Sequence, residues 1–320
     1  MSLVLELVEA IGLSVADINH VIDTAPARYR VYPIEKRSGG ERMIAQPSRE
    51  LKAIQRFILR EKLSSFPVHH CAMAYEEHRS IYANAQMHKN TRAILKLDFQ
   101  EFFPSLKVAD WEMLVSKLKP NAINISDIKL YSKILFWGQQ KGSKFPRCLS
   151  IGAPTSPKMS NLLMFDFDSI VAEKAIEHGL NYSRYADDIT ISGDSTLKIT
   201  TLERDIQKLV RSMKSPRLTF NEEKRGLYTK GQRRMVTGLI ITPAKDVSIG
   251  RDRKRNISSM LHRDTLRKLD VDSRGQLKGF LGFCAAVEPQ FIDRLRHKYG
   301  DAAIDRAMKY HTPKRSINET

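Results

Sequence analysis

Apolar and polar positions alternate from Tyr29 to Ile34, break at Lys36-Arg37-Ser38-Gly39-Gly40, and resume from Glu41 to Ala45, which predicts a β-hairpin with a basic turn. Ahead of it, residues 1–25 read as two short helices, with Ser14 capping the run Val15 to Ile22. Behind it the period becomes helical, and Leu51, Ile54 and Ile58 fall on one face of the stretch Leu51 to Arg60. Ala93-Ile94-Leu95-Lys96-Leu97-Asp98 is an apolar run closed by an acid, the form of a buried strand that delivers a carboxylate to a sheet edge. Helical spacing fills Trp111 to Trp137, a polar basic loop spans Gln139 to Arg147, and a further helix follows at Lys158 to Met164. Asn181 to Arg184 and Ile189 to Ser192, rich in Tyr, Ile and Thr, read as the arms of a second hairpin with Asp187 and Asp188 at its turn. Thr201 to Met213 predicts a helix and Met235 to Ile241 a strand; past Val247 the pattern is helical and basic.

Two adjacent carboxylates on a hairpin repel one another, which raises a carboxylate pKa unless a cation compensates. Taken alone, Asp187-Asp188 reads as a surface turn, since Asp is a common turn former. Asp98 changes that reading, because a strand ending beside the hairpin brings a third carboxylate to the same edge. Such a cluster can hold two Mg²⁺ ions roughly 4 Å apart, one activating an attacking hydroxyl and one neutralising a leaving phosphate.

The chain resembles the reverse transcriptases at this point, and within them the bacterial retron enzymes. Leu97-Asp98-Phe99-Gln100-Glu101-Phe102-Phe103-Pro104-Ser105 is similar to their motif A, Leu149 to Pro157 with Gly152 to motif B, and Tyr185-Ala186-Asp187-Asp188 to motif C. Asn84-Ala85-Gln86-Met87-His88 and Val236-Thr237-Gly238 match the two signatures of the retron branch, and the resemblance runs from Tyr29 to the end of the chain. It implies an α+β right-hand polymerase fold of fingers, palm (an antiparallel sheet backed by helices) and helical thumb. The expected division is 1–245 for the N-terminal helices, fingers and palm, and 246–320 for an RNA-binding thumb.

The roles implied by the resemblance are specific. Asp98, Asp187 and Asp188 hold the two Mg²⁺ ions; Arg42, supported by Lys36 or Arg37, neutralises the triphosphate; Phe103 excludes a ribose 2′-hydroxyl, with Phe102 left to the core. Gly152 opens the motif B turn so that a template base approaches the backbone, while Ile151 stands where many reverse transcriptases carry Gln. Leu218 to Lys224 resembles motif D, with Lys224 either a proton donor to pyrophosphate or an exposed turn lysine. Asn84 and His88, one helical turn apart, either contact RNA or satisfy one another inside the fold; Thr237 and the thumb residues Arg251, Arg253, Lys254 and Arg255 complete the expected RNA interface.

A retron enzyme takes dNTPs and a cognate non-coding RNA that serves as template and primer. Its synthesis starts from the 2′-hydroxyl of an internal guanosine and leaves a branched, RNA-linked single-stranded DNA on the enzyme, in anti-phage defence with a separate effector protein. The competing readings are a scaffold or antitoxin that holds an effector inactive through bound nucleic acid, and a group II intron-related reverse transcriptase, for whose added domain the chain leaves little room beyond the thumb.

Composition sharpens the partner. Lys and Arg number 53 against 36 Asp and Glu, a formal charge of +17, and this favours a polyanion. With 42% hydrophobic residues over 320 positions the chain can bury a substantial core. Cys71, Cys148 and Cys284 form no paired motif, consistent with a reduced cytoplasmic setting, and His69-His70-Cys71 follows no usual structural-zinc spacing. Glu6 and Glu9 interrupt the apolar start, so neither a secretion leader nor a membrane partner is expected.

Overall fold

In the computed structural model, residues 2–36, 39–117, 124 and 127–311 are described. They form two compact units, one of residues up to Ser80 with Arg92–Leu227, the other of Ile81–Thr91 with the chain from Tyr228 onward. The units are therefore drawn differently from the division at residue 245 expected from the motifs: the segment carrying Asn84 and His88 leaves the palm and joins the C-terminal unit.

The first unit opens with helices α1 (Leu3–Ile11) and α2 (Val15–Thr24), the second begun by Ser14, whose Oγ accepts from the Asp17 amide at 3.1 Å. Strands β1 (Tyr29–Glu35) and β2 (Glu41–Pro47) pair antiparallel, placing Arg42 opposite Ile34; Arg37 lies outside the described residues. Helix α3 (Arg49–Ile58) buries Leu51, Ile54 and Ile58, the face read from its spacing. After α4 (Ile81–His88), which belongs to the other unit, β3 (Ala93–Asp98) enters the centre of a four-stranded sheet. Short α5 (Phe102–Ser105), α6 (Val108–Lys117) and α7 (Ile128–Leu135) follow, then α8 (Ser156–Leu163) and α9 (Phe165–Glu177). The hairpin of β4 (Asn181–Tyr185) and β5 (Asp188–Gly193), helix α10 (Thr196–Ser212) and edge strand β6 (Gly226–Tyr228) complete the unit, with sheet order β4-β5-β3-β6.

Nearly every residue of β3 and β5 is buried, as expected for central strands covered by helices, here α9 against β4 and α10 against β5. One contiguous apolar core joins α1 to α3 with the sheet and its helices. Phe99 is at its middle, stacked on Phe220 at 4.8 Å and meeting Phe167 edge-on at 5.7 Å. That aromatic cluster anchors the strand end on which Asp98 sits.

The second unit packs α4 against a three-stranded antiparallel sheet of β7 (Arg234–Val236), β8 (Leu239–Ile241) and β9 (Val247–Ser248). Four helices follow: α11 (Arg251–Thr265), α12 (Val271–Val287), α13 (Pro289–Tyr299) and α14 (Asp301–Lys309). Thr237 and Gly238 form the two-residue turn between β7 and β8, at φ 45 and 80. A tight hairpin of that type needs positive φ at both central positions, which glycine adopts freely and a β-branched residue does not. Thr237 is held there by its own hydroxyl, which donates to the Ile81 carbonyl at 3.1 Å. The Val-Thr-Gly signature is thus a strained turn fastened to the start of the Asn-Ala-x-x-His helix.

Among the described residues, no helix is long and apolar enough to cross a membrane.

Candidate active site

Antiparallel pairing of β3 and β5 makes Asp98 and Asp188 direct register partners, so the two carboxylates meet at one edge of the sheet. Pairing of Tyr185 with Asp188 leaves Ala186 and Asp187 as a two-residue turn, Ala186 at φ 58. The Phe99 amide donates to the Asp187 carbonyl at 3.2 Å, and the Asn221 amide to the Asp98 carbonyl at 2.7 Å, so backbone bonds fix both sides of the acid cluster.

Burial raises the pKa of Asp187, and the neighbouring Asp98 charge adds to it. Asp188 is pushed up to about 6, first by burial and then by Asp187 and Asp98, with Lys96 opposing. The Lys224 ammonium stands 2.8 Å from both oxygens of Asp98. Burial pulls on that ammonium in one direction and the hydrogen bonds to Asp98 in the other, and the latter prevail, raising its pKa. Lys224 ends a single 3₁₀ turn, Glu222–Lys224, begun by Asn221, whose side chain accepts from the Glu223 amide at 3.2 Å. Its side chain is 54% exposed, so both readings from the sequence describe it in part: an exposed turn lysine that reaches the acids.

Hard oxygen ligands, mutually repelling charges and a cation already drawn to Asp98 suit a divalent ion such as Mg²⁺. Among the described residues, only His69, His70 and Cys71 bring three ligand atoms of different residues within 4.8 Å of one another. At His69-His70-Cys71 the chemistry is unfavourable for a metal: burial pushes the Cys71 thiol up to about 12, and Arg79 and Arg184 place positive charge nearby.

The other predicted residues of this unit lie on β2, in α5 and ahead of α8. Arg42, exposed on β2, lies within electrostatic reach of Asp187. Phe103 is half-buried, edge-on to Phe102 at 5.5 Å and 6.3 Å from the Tyr75 ring, while Phe102 is buried in the core. Gly152 sits at φ 128 where an added Cβ would stand 2.9 Å from the Ala45 carbonyl oxygen. The Ala45 amide donates to Ile151 at 2.9 Å, so the close approach that requires glycine here is to strand β2 of this chain.

Periodicity did not reveal the support beneath the turn. Arg184 is fully buried, and its Nε and Nη2 form a two-pronged pair with Asp168 on α9 at 2.8 and 2.6 Å. Tyr182 donates to the same carboxylate at 2.6 Å. The remaining Arg184 nitrogen donates to the Ala186 carbonyl at 3.0 Å, and Nη2 also reaches Asn161 on α8 at 3.3 Å. The available signal was the two-residue strand period, which puts Tyr182 and Arg184 on one face.

In the second unit the predicted RNA contacts divide. Asn84 and His88 are both fully buried, which corrects the expectation that they touch RNA: neither side chain is at the surface. Burial lowers the His88 pKa to about 3, so the ring is neutral. The internal alternative is not a closed pair either, because among the described residues neither polar side-chain atom of Asn84 has a hydrogen-bond partner. Thr237 is half-buried and committed to Ile81. Arg251 and Arg255 are exposed, whereas Lys254 pairs with Glu288 and Arg253 lies over the Phe283 ring at 5.3 Å. Lys254, Arg255, His262, Lys298 and Tyr299 line an open cavity of about 580 Å³ between α11 and α13.

A sheet edge carrying paired acids has the form of a nucleic-acid polymerase palm, and residues 34–254 match the family described as reverse transcriptase (RNA-dependent DNA polymerase). Apo telomerase from Candida tropicalis has the same fold, with a TM-score of 0.53 at 14% identity over 85% of this chain; the match spans 58% of the telomerase. A truncated form of that telomerase gives a TM-score of 0.50 at 13% identity, over 70% of this chain and 55% of the other. Three bacterial relatives are much nearer in sequence. The retron Ec83 reverse transcriptase of Escherichia coli is 34% identical over 92% of this chain and 94% of its own length. The retron Ec86 enzyme of the same organism is 34% identical over 94% and 92%, and the retron Mx65 enzyme of Myxococcus xanthus 31% identical over 92% and 70%. The chain belongs to the retron reverse transcriptases, RNA-directed DNA polymerases.

Proposed function

We propose that this enzyme copies a cognate non-coding RNA into DNA from a primer hydroxyl within that RNA, the 2′-OH of an internal guanosine, and keeps the branched product bound. The observation that carries the polymerase chemistry is the register of Asp98 against Asp188 beside Asp187. Two Mg²⁺ ions bound by Asp98, Asp187 and Asp188 would lower the pKa of the primer hydroxyl and neutralise the departing pyrophosphate. Arg42 on the hairpin draws the triphosphate towards the acids, Phe103 presents its ring where a 2′-hydroxyl would clash, and Gly152 holds the motif B turn against β2. Lys224, within reach of Asp98, supplies a proton to the leaving phosphate.

Arg251, Arg255 and the basic cavity between α11 and α13 grip RNA through phosphates, since A-form RNA offers side chains little sequence in its deep groove. Asn84, His88 and Thr237 act on RNA indirectly, by holding α4 and the β7–β8 turn as one piece. The bound nucleic acid acts in anti-phage defence in the cytoplasm with a separate effector protein.

The test is to express the gene with its upstream flanking DNA, purify the protein and analyse the co-purifying nucleic acid before and after ribonuclease and debranching treatment. A discrete short DNA whose mobility shifts on debranching is the expected result. D187N should abolish that DNA while leaving the RNA bound; DNA synthesis retained in D187N would refute the assignment.

A further inference from the structure

We propose that Tyr75 belongs to the deoxynucleotide pocket, as a second aromatic wall beside Phe103 that packs against the incoming nucleotide. The inference rests on the reading of Arg42, Phe103 and the aspartates given above, and adds a residue that none of the polymerase motifs contains.

Its neighbours are the first argument. The Tyr75 and Phe103 rings lie 6.3 Å apart at 51°, an inclined pair. Asp187 and Arg42, the residues assigned to the metal ions and the triphosphate, both act electrostatically on its hydroxyl. Burial and then Asp187 push the phenol up to about 12, so it stays a neutral hydrogen-bond donor and adds no negative charge beside the acids.

Its backbone is the second. Tyr75 is at φ 69, a left-handed conformation that is strained for a non-glycine residue and persists only where the surroundings enforce it. The enforcement is visible on both flanks. Asn161, fully buried on α8, donates to the Ala74 carbonyl at 2.9 Å and to Glu76 at 3.1 Å, and Glu76 in turn accepts from Lys158 at 3.1 Å. The carbonyl of the same Asn161 side chain accepts from Arg184, which fixes the Ala186 turn. One buried network therefore seats both the catalytic hairpin and the loop on which Tyr75 stands.

Yet Tyr75 itself is 48% exposed. A large aromatic left open while its flanks are locked is arranged to receive something, and preorganisation of that kind lowers the ordering cost of binding. The ligand class that suits an aromatic ring within electrostatic reach of a hairpin cation and a carboxylate is a nucleoside triphosphate.

The experiment is steady-state incorporation on a primed RNA template, reading KM and kcat for a dNTP and for the matching rNTP, with urea unfolding as the check on folding. Y75A should raise the dNTP KM about tenfold and narrow the dNTP-to-rNTP preference, with kcat changed by less than about threefold, as for loss of a packing contact. Y75F, which keeps the ring, should stay within about threefold of wild type in KM. If Y75A is poorly folded, Y75L replaces it with the same expectation. An active wild type in which F103A widens rNTP acceptance while Y75A and Y75L leave dNTP KM and preference unchanged overturns this inference alone. A wild type with no dNTP incorporation on any primed template overturns the reading beneath it.

Discussion

Replacing Arg184 with Met tests whether the Ala186-Asp187 turn stands on a closed, buried ion pair. The wild-type guanidinium and the Asp168 carboxylate are both fully buried, and every Arg184 nitrogen has an acceptor: two bonds to Asp168, one to Ala186 and one to Asn161. Methionine fills similar space but leaves Asp168 with only the Tyr182 hydroxyl. Removing one member of a buried pair costs about 3–5 kcal/mol, because the abandoned charge keeps its full desolvation penalty. Against the ~5–15 kcal/mol typical of a folded domain, that loss is readily measured. Urea unfolding of wild type, R184M, D168A and the double variant gives the magnitude and its origin. The double variant should lose markedly less than the sum of the two single ones, since the pair fails as a unit. Activity of R184M should fall further than stability, because Ala186 is freed beside Asp187. A loss below about 1 kcal/mol in R184M, with additive single changes, would refute the closed network.

Two further outcomes follow from single contacts. G152A places a Cβ 2.9 Å from the Ala45 oxygen at φ 128, so it should lower stability by about 1–3 kcal/mol and weaken dNTP binding through movement of β2; an unchanged urea midpoint would contradict this. His88, with a folded pKa near 3 against an ordinary 6.5, is protonated more readily in the unfolded chain, so its contribution to stability falls as pH drops below 6.5. Between pH 7 and 5.5 the loss should be about 1 kcal/mol, read as the difference in pH slope between wild type and H88Q. The comparison with a variant is needed because Asp188, raised to about 6, is protonated first in the folded state and works in the opposite direction between roughly pH 6 and 4. Identical slopes in wild type and H88Q would refute the buried neutral ring.

Legibility in the sequence varied with the range of the interaction. The β1–β2 hairpin, α3 and the hairpin carrying Asp187 and Asp188 were readable because side-chain period and turn residues act over a few neighbours. The motif resemblance also pointed to Asp98 as partner of that hairpin, and the register of β3 on β5 agrees. Asn84 and His88 were harder: helical spacing put them on one face but did not say whether that face met solvent or β7 and β8. The same limit applied to Gly152, whose closest approach is to Ala45, more than a hundred positions away in the chain.

By itself, then, the sequence determined the family, through the content and order of its motifs, and the elements that present them, while its summed charge favours a polyanionic partner. Only the tertiary structure decided which polar residues became internal supports. Arg184, Asp168, Asn161 and Glu76 come from separate elements, and their worth depends on burial and angle, quantities that exist only once the helices have closed over the sheet.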